Sequence, residues 1–278
     1  MSGISIGEAL TRGSRELSPV SETAARDVQV LLAEMMDRPR EWLLARPETP
    51  VPREINDQLA SALQRLTAGE PLPYVLGWCE FFGRRFTVTP DVLIPRPETE
   101  LLVEKGLEAI DGHPRARTVI DVGTGSGCVG VTVALERGGV RVFATDISRP
   151  ALLVAMENAE WLRAGGLVAF VMADLTEGMW LEDAVVLANL PYVASGEVAA
   201  LRCEPRLALD GGGCGMDVIL RLLQQLARRR PRRTTVLLEI GSGQGSAAID
   251  LASTLCHPGS VWLELDLAGR DRILGLEF

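Results

Sequence analysis

Apolar residues recur along the chain with two different spacings, and the change between them divides the sequence into two parts. Up to about residue 70 the spacing is helical. One stripe is formed by Ala24, Val28, Leu31, Leu32 and Met35, and a second by Ile55, Leu59, Leu63 and Leu66. Ser21 stands where it can cap the first of these helices, and Gly69 stands where the second should stop. We therefore predict a small helical domain over residues 1–75.

The residue pattern changes over 76–96. Here β-branched and aromatic residues flank residues that favour turns. The segment EFFGRRFTVTPDVLI places one turn at Gly83 and another at Pro90-Asp91, which is typical of a short hairpin. The next stretch, PETELLVEKGLEAI, predicts a helix with Pro97 in its first turn and acidic residues at its positive end. We predict a hairpin linker over 76–96 and a second domain over 97–278.

From residue 117 onward, short apolar runs alternate with helical stretches. The runs predicted as strands are RTVIDVG, VRVFATD, LVAFVMAD, AVVLANL, TTVLLEI, VWLELDL and RILGLEF. The predicted helices cover 127–137, 148–164, 215–230 and 244–255, and a long glycine-rich loop follows AVVLANL. Continuous apolar strands between helices indicate an α/β fold with a mostly parallel, doubly wound sheet. The last two runs have no full helix between them, so they predict an antiparallel hairpin at the sheet edge.

Composition narrows the classes of function. The 28 basic and 37 acidic side chains give a net charge of −9, which opposes non-specific attraction to a phosphate backbone. The five cysteines form no CxxC pair and there are only two histidines, so neither a disulfide framework nor a metal centre is expected. The N-terminus does not resemble a signal peptide, and no run of about 18 apolar residues occurs. We expect a cytoplasmic protein without a membrane segment.

The first predicted strand of the alternating region leads into a glycine-rich loop. The loop consists of Gly123, Thr124, Gly125, Ser126 and Gly127. Glycine at such a strand–helix junction permits positive backbone dihedrals and a close approach of the chain to a ligand. The loop therefore indicates a nucleotide or S-adenosyl-L-methionine (AdoMet) site, although a plain tight turn has the same spacing.

Acidic residues end the next two predicted strands. Asp146 lies about twenty residues beyond the glycine loop, where a carboxylate can accept hydrogen bonds from ribose hydroxyls. Asp174, in VMADL, is similarly placed to meet an adenine amine, with the Leu175 backbone beside it. Local roles are the alternatives: Asp146 as a helix cap beside Ser148, and Asp174 as a turn residue.

The fourth predicted strand ends in NLPY, and this tetrapeptide separates a methyl donor site from a dinucleotide site. Asn189 stands at the carboxyl end of the strand, where ligands of open α/β sheets collect. Its side-chain oxygen and the Leu190 carbonyl can accept both hydrogens of a planar NH₂ group, which keeps electron density on a poorly nucleophilic nitrogen. Pro191 restricts Leu190 to an extended conformation, and Tyr192 can stack on a planar substrate.

The glycine loop, the two strand-end aspartates and NLPY, taken in their order along the chain, resemble the motifs of the release factor glutamine methyltransferases, the HemK/PrmC family. The resemblance covers nearly the whole chain from about residue 20. It is carried by PLPYVLGWCEFFGRRFTVTPDVLIPRPETE at 71–100, DVGTGSG at 121–127, ATDIS at 144–148, ENA at 157–159, NLPY at 189–192, EPRLALDGG at 204–212, LEIGSGQ at 238–244 and DLAGRDRI at 266–273.

The resemblance implies a class I methyltransferase domain with a Rossmann-like, mostly parallel seven-stranded sheet, joined by a hairpin to a helical domain that recognises the release factor. It assigns the cofactor AdoMet to the glycine loop, to Asp146 with Ile147, and to Asp174 with Leu175. Asn189 would contact both cofactor and substrate, and the catalytic motif would comprise 189–192. The implied substrate is the glutamine of the Gly-Gly-Gln loop of peptide chain release factors, and we expect a monomer.

Two positions depart from the family pattern. Proline is usual where Leu190 stands, and leucine there resembles the motif of enzymes that dimethylate adenine in ribosomal RNA. An acidic residue is usual near Cys214, which puts a role of the loop 211–217 in doubt.

Other functions remain as alternatives. A methyltransferase acting on a ribosomal protein glutamine shares these motifs, and one acting on adenine in RNA or DNA should be stimulated by nucleic acid. A nicotinamide-dependent oxidoreductase would be stabilised by NAD, and a silent binding module would transfer no methyl group. The segment IPRPETE suggests catalysis by Glu98 or Glu100, but acidic residues are expected in a first helical turn. The resemblance instead makes Arg96 a tether on the cofactor side of the cleft.

Overall fold

The computed structural model describes residues 4–113, 117–199 and 203–278. The chain divides into two compact units, and the boundary between them lies between Trp78 and Cys79. The first three residues of the predicted helical domain lie outside the described residues. Within those residues, no helix combines the length and the apolar character that crossing a membrane requires.

The first unit is helical. Its helices are α1 (Ile6–Leu17), α2 (Ala24–Met36), α3 (Arg40–Leu44), α4 (Arg53–Thr67) and α5 (Leu72–Leu76). The two apolar stripes face each other in its core: Val28 and Leu31 from α2 pack with Leu59 and Leu63 from α4, and all four are at most 1% exposed. Gly69 follows the end of α4 with a positive φ of 93°, as its place after the last apolar residue predicts.

The predicted cap at Ser21 is wrong. Helix α2 begins at Ala24, and its N-cap residue, Thr23, makes no capping hydrogen bond with its side chain. The Ser21 hydroxyl instead lies one turn earlier, where it accepts from the Thr23 amide at 3.1 Å and donates to Asp27 at 2.8 Å. Serine favours both arrangements because its hydroxyl bonds nearby backbone amides, so the sequence alone does not place the first residue of the helix.

The predicted hairpin, apart from its first strand residue Trp78, opens the second unit. Its strands, β1 (Trp78–Phe81) and β2 (Arg84–Thr87), are joined at Phe82 and Gly83, which both have positive φ. This is the dihedral pattern of a tight two-residue turn. Phe81 and Phe86 are buried and their rings meet edge to face, so the hairpin is packed against the core of this unit rather than extended as a free linker.

A seven-stranded sheet forms the centre of the second unit. The strands are β3 (Thr118–Val122), β4 (Arg141–Asp146), β5 (Val168–Met172), β6 (Ala184–Asn189), β7 (Thr235–Glu239), β8 (Ser260–Leu265) and β9 (Asp271–Glu277). Their order is β5-β4-β3-β6-β7-β9-β8. All neighbouring pairs are parallel except those made by β9, which runs antiparallel to both β7 and β8. The predicted doubly wound sheet and its antiparallel edge hairpin are confirmed.

Helices cover both faces of this sheet. They are α6 (Glu100–Gly112), α7 (Cys128–Glu136), α8 (Arg149–Trp161), α9 (Ser195–Val198), α10 (Arg206–Leu209), α11 (Asp217–Arg229) and α12 (Gly245–Cys256). Alternate strand residues point to opposite faces, so Val119 joins one apolar core with α6 and α7 while Ile120 joins another with α11 and α12. A 3₁₀ turn over Pro97–Thr99 leads into α6, where the sequence predicts a helix starting with Pro97.

Candidate active site

The carboxyl ends of three neighbouring strands meet at a cavity. Strands β4, β3 and β6 lie side by side, and they end at Asp146, Val122 and Asn189. The cavity between these ends has a volume of about 450 Å³, within the usual range for a small-molecule site. The predicted ligand position, beyond the carboxyl ends of the parallel strands, therefore coincides with a cavity of sufficient size.

Most residues of the predicted site line this cavity. They are Gly123, Thr124, Gly125, Ser126, Asp146, Ile147, Asp174, Leu175, Asn189, Leu190 and Pro191. Among the described residues, the two predicted positions outside the lining are Gly127 and Tyr192. The structure thus brings together four sequence motifs that are separated by up to about 65 residues along the chain.

The glycine loop turns sharply after β3. Gly123, Gly125 and Gly127 have φ values of +70°, +54° and +82°, a region that favours glycine. A Cβ atom at Gly127 would lie 3.1 Å from the Cβ of Ala155, so this position needs glycine for packing against α8. A Cβ at Gly125 would meet nothing within 4 Å. Gly125 therefore borders open space, as expected where a ligand approaches the backbone.

Asp121, on β3, anchors the loop from below. Its side chain is 2% exposed and accepts from the Thr124 hydroxyl at 2.5 Å and from the Gly130 amide at 2.9 Å. Burial raises the pKa of Asp121 from 3.8 to about 6, although these two hydrogen bonds act in the opposite direction. Asp121 could not be identified as a site residue from the sequence, because the alternation of side chains along β3 indicates only that this one points inward.

We expect Asp121→Asn to flatten the pH dependence of folding stability. Because the pKa of this acid is higher in the folded state, folding is favoured when it is protonated, and stability falls as the pH rises from about 4 to about 6 and then levels off. Between about pH 5 and pH 7 the wild type should lose about 1 kcal/mol more free energy of unfolding than the variant. Denaturant titrations at each pH measure this difference, and parallel profiles for the two proteins would contradict it.

Asp146 is held from both sides. One carboxylate oxygen accepts from the Gly125 amide at 2.9 Å and the other from the Ser148 amide at 2.8 Å. The predicted cap role falls to Ser148 itself, whose hydroxyl accepts from the Ala151 amide at 3.3 Å. Partial burial raises the pKa of Asp146, and the amide donors oppose this rise. The carboxylate is thus fixed at the cavity wall with lone pairs left for ligand hydroxyls.

Asp174 and Leu175 follow just after β5. Asp174 forms an ion pair with Arg221 of α11, and both side chains line the cavity. Leu175 has a positive φ of 57°, and its carbonyl accepts from the buried Thr145 hydroxyl at 3.0 Å. Arg221 was not identified from the sequence. It lies 47 residues beyond its partner Asp174, in a helix whose residue pattern is that of an ordinary amphipathic helix.

The amide of Asn189 has a definite orientation. Its Nδ2 donates to the Thr99 hydroxyl at 3.0 Å, so the nitrogen end points to the 3₁₀ turn, and no donor among the described residues is bonded to Oδ1. Leu190 follows with a buried side chain, 4% exposed, whose Cδ2 would lie 3.1 Å from a Cβ at Gly123. Leucine in the place of the usual proline is therefore packed under the glycine loop.

Tyr192 is not among the residues that line the cavity. Its hydroxyl donates to Glu239 Oε1 at 3.1 Å, and its ring packs beside the apolar core under α11 and α12. Burial raises the pKa of Tyr192 well above its usual value, and the negative charge of Glu239 adds to this effect. Stacking of Tyr192 on a substrate remains a prediction.

Two loops beside the cavity are tied together by Glu204. Its carboxylate forms an ion pair with Arg96 and accepts from the Ile94 amide at 3.1 Å, across a sequence separation of more than 100 residues. The Glu204 side chain is 9% exposed and the Arg96 side chain 38%, so the carboxylate is shielded from solvent while the guanidinium remains partly exposed. Arg96 lies where the tether is predicted, but its partner could not be inferred from the sequence.

Glu100 has a structural contact. Its carboxylate accepts from the Phe82 amide at 2.8 Å and so fixes the hairpin turn against the start of α6. Among the described residues there is also no group of three or more histidine, cysteine, aspartate or glutamate side chains that could hold a metal ion.

Two known domain families match the chain. The PrmC N-terminal domain matches residues 8–77, and the methyltransferase small domain matches residues 97–211. Among solved structures, the catalytic domain of human Mettl16 with MAT2A 3′UTR hairpin 6 has a TM-score of 0.57 at 15% identity and covers 81% of this chain and 82% of that one. At this identity the likeness shows the fold alone, which is that of a class I methyltransferase.

Relatives with the same name are similar over nearly the full length. Proteins named release factor glutamine methyltransferase from Neisseria gonorrhoeae, Moorella thermoacetica and Cereibacter sphaeroides are 39%, 39% and 38% identical to this chain. The alignments cover 89%, 97% and 91% of this chain, and 91%, 97% and 91% of the relatives. This identity and coverage, together with the arrangement of the site, show that the chain belongs to the release factor glutamine methyltransferase family.

Proposed function

We propose that the chain methylates the side-chain amide nitrogen of a glutamine in peptide chain release factors, within their Gly-Gly-Gln motif, with AdoMet as the methyl donor. The observation that carries this proposal is the orientation of Asn189 at the end of β6, with Nδ2 bound to Thr99 and Oδ1 left to accept from a substrate. The names of the relatives support the release factor glutamine as the target.

The residues of the cavity fit AdoMet. Gly125 leaves open space where a Cβ would otherwise stand, and Asp146 holds a carboxylate at the adjoining strand end, suited to the ribose hydroxyls. Ile147 is 55% exposed beside it and offers an apolar surface, while Asp174 and Leu175 border the side expected for adenine. When bound, AdoMet supplies an electrophilic methyl carbon on a positively charged sulfur.

The chain's own residues would prepare the glutamine amide for attack. The nitrogen of a carboxamide is a poor nucleophile because its lone pair is delocalised. Two acceptors, Asn189 Oδ1 and the Leu190 carbonyl, would take the two N–H hydrogens and stabilise the positive charge that develops on nitrogen. They also align the nitrogen for in-line attack, which lowers the entropic cost of the reaction. After alkylation the nitrogen is acidic, and it passes its proton to water without a dedicated base.

Other aspects of the function follow as part of the same proposal. The helical unit would recognise the release factor, and the enzyme would act as a cytoplasmic monomer. The net charge of −9 supports a protein rather than a nucleic-acid substrate.

A labelling panel tests the target. The chain is incubated with methyl-labelled AdoMet and, separately, with a purified release factor, the same factor with the motif glutamine replaced by alanine, ribosomal protein, or RNA. We expect label in the intact release factor and none in its glutamine variant. Label retained by the variant excludes the proposed residue, whereas label only in ribosomal protein or RNA selects one of the alternative substrates.

A further inference from the structure

The loop that follows β5 is held from one side by helix α11. Gln225 in this helix is 7% exposed, and its side-chain amide bonds the backbone on both sides of Leu175. Its Nε2 donates to the Asp174 carbonyl at 3.1 Å, and its Oε1 accepts from the Thr176 amide at 3.0 Å. The Thr176 hydroxyl donates to the same oxygen at 2.7 Å. One buried side chain thus brackets Leu175.

Other side chains hold the remaining carbonyls of this loop. Thr145, in β4, is fully buried, and its hydroxyl donates to the Leu175 carbonyl at 3.0 Å. One turn beyond Gln225 along α11, Arg229 donates to the Thr176 carbonyl at 2.6 Å. The three carbonyls of residues 174–176 are therefore all bonded by side chains of neighbouring elements.

These bonds surround a residue in a disfavoured backbone conformation. Leu175 has a φ of +57°, in the left-handed region, where a Cβ crowds the adjoining carbonyl. Such a conformation persists only where the surrounding structure imposes it. Leu175 is 8% exposed and lines the cavity, and among the described residues no acceptor is bonded to its N–H. Buried backbone N–H groups rarely lack a partner, so a donor left at a cavity wall is expected to meet a ligand acceptor.

The side chain of Asp174 places an acceptor next to this donor. Its Oδ2 forms the ion pair with Arg221, and no donor among the described residues is bonded to Oδ1. Two adjacent residues therefore offer one N–H and one carboxylate oxygen. The Watson–Crick edge of adenine carries the complementary pair, the N1 acceptor and the 6-amino donor. Hypoxanthine carries the opposite pair, an N1–H donor and a 6-oxo acceptor.

We propose that Gln225 and Thr145 are positioning residues that make the cofactor site selective for an adenine base. They hold Leu175 in its left-handed conformation, so that its N–H meets adenine N1 while Asp174 accepts from the 6-amino group. Neither Gln225 nor Thr145 lines the cavity, so each acts through the loop rather than by touching the ligand. This inference rests on the proposed function, in which the cavity binds AdoMet.

The substitution Gln225→Met tests this role. Methionine has about the length of glutamine but cannot bond the Asp174 carbonyl or the Thr176 amide. Calorimetric titrations give the dissociation constants of S-adenosyl-L-homocysteine and S-inosyl-L-homocysteine, which differ only in the base. We expect the wild type to prefer the adenosyl ligand by at least about 10²-fold, the scale of two mismatched hydrogen bonds. In the variant this preference should fall about 10-fold, because the inosyl ligand makes neither bond and has none to lose.

Two further variants serve as controls. Gln224→Met is the same substitution at the neighbouring, exposed position of α11, and it should keep the wild-type preference. Asp146→Ala should weaken both ligands by the same factor, because they share the ribose, and so should leave the preference unchanged. A general loosening of the site would also weaken both ligands together, so the ratio of the two dissociation constants isolates the positioning of the loop.

An unchanged preference in Gln225→Met, or a wild type without preference, would overturn the inference. If Gln225→Met does not fold, Thr145→Val replaces it. Valine keeps the shape of threonine but cannot donate to the Leu175 carbonyl, so the preference should again fall. A wild-type preference in Thr145→Val would then overturn the inference.

Failure of the proposed function gives different results. A wild type that binds neither ligand contradicts the cofactor site, and one that binds the adenosyl ligand but labels no release factor contradicts the target. A wild type that labels release factor and prefers the adenosyl ligand, with the same preference in Gln225→Met, contradicts only the positioning role.

Discussion

An Asn189→Ala enzyme is expected to turn over at least about 10²-fold more slowly than the wild type while binding AdoMet almost as tightly. Alanine removes the acceptor that stabilises charge on the attacking nitrogen, and this interaction strengthens only as the reaction proceeds. Losses of that kind appear in kcat rather than in ligand binding. Single-turnover labelling of release factor and calorimetric titration with AdoMet measure the two quantities separately.

Two outcomes for Asn189→Ala would contradict this expectation. If Asn189→Ala kept the wild-type rate, the residue would be a structural strand end and the acceptor pair would have no role. If kcat and AdoMet affinity fell together, Asn189 would act through the cofactor site. Thermal denaturation serves as the control for folding, because the variant also leaves the buried Thr99 hydroxyl without its donor.

The Asp146→Ala enzyme should show the reverse pattern, with AdoMet affinity lowered by about 10²-fold and a smaller effect on kcat at saturating AdoMet. The carboxylate is held by the amides of Gly125 and Ser148, so it enters binding already oriented. Hydrogen bonds from ligand hydroxyls to a charged acceptor contribute about 1.5–3 kcal/mol each, and one or two of them account for the expected loss.

Asp146→Asn provides the matched comparison. It keeps one acceptor oxygen but must place its NH₂ group near a backbone amide or the ligand, so its affinity should fall between those of the wild type and Asp146→Ala. Equal AdoMet affinity for all three proteins would show that Asp146 serves only to fix the glycine loop. Melting temperatures without ligand measure that structural contribution independently.

The sequence predicted the features that depend on local pattern. Continuous apolar runs identified the seven strands of the sheet, and the missing helix before RILGLEF identified the edge hairpin. Glycine spacing and strand-end side chains identified most of the cavity lining, because parallel strands bring their carboxyl ends to one edge.

Contacts between polar side chains that are far apart in the sequence could not be predicted. The bond between Asn189 and Thr99 spans 90 residues, and Arg96 and Glu204 are 108 residues apart. Apolar periodicity states which face of an element is buried, but not which polar atom lies opposite another. The short helices α9 and α10 were missed for a different reason, since four residues are too few to show a helical repeat.

The position of β9 has a consequence for how the enzyme matures. This strand is inserted between β7 and β8, although it follows both along the chain. A ribosome therefore delivers β7 and β8 before the strand that joins them, and each has an unpaired backbone edge during that interval. Glu239 also lacks its neighbour Arg272 until then. Until β9 has been synthesised, these open edges expose the nascent chain to mispairing with other chains.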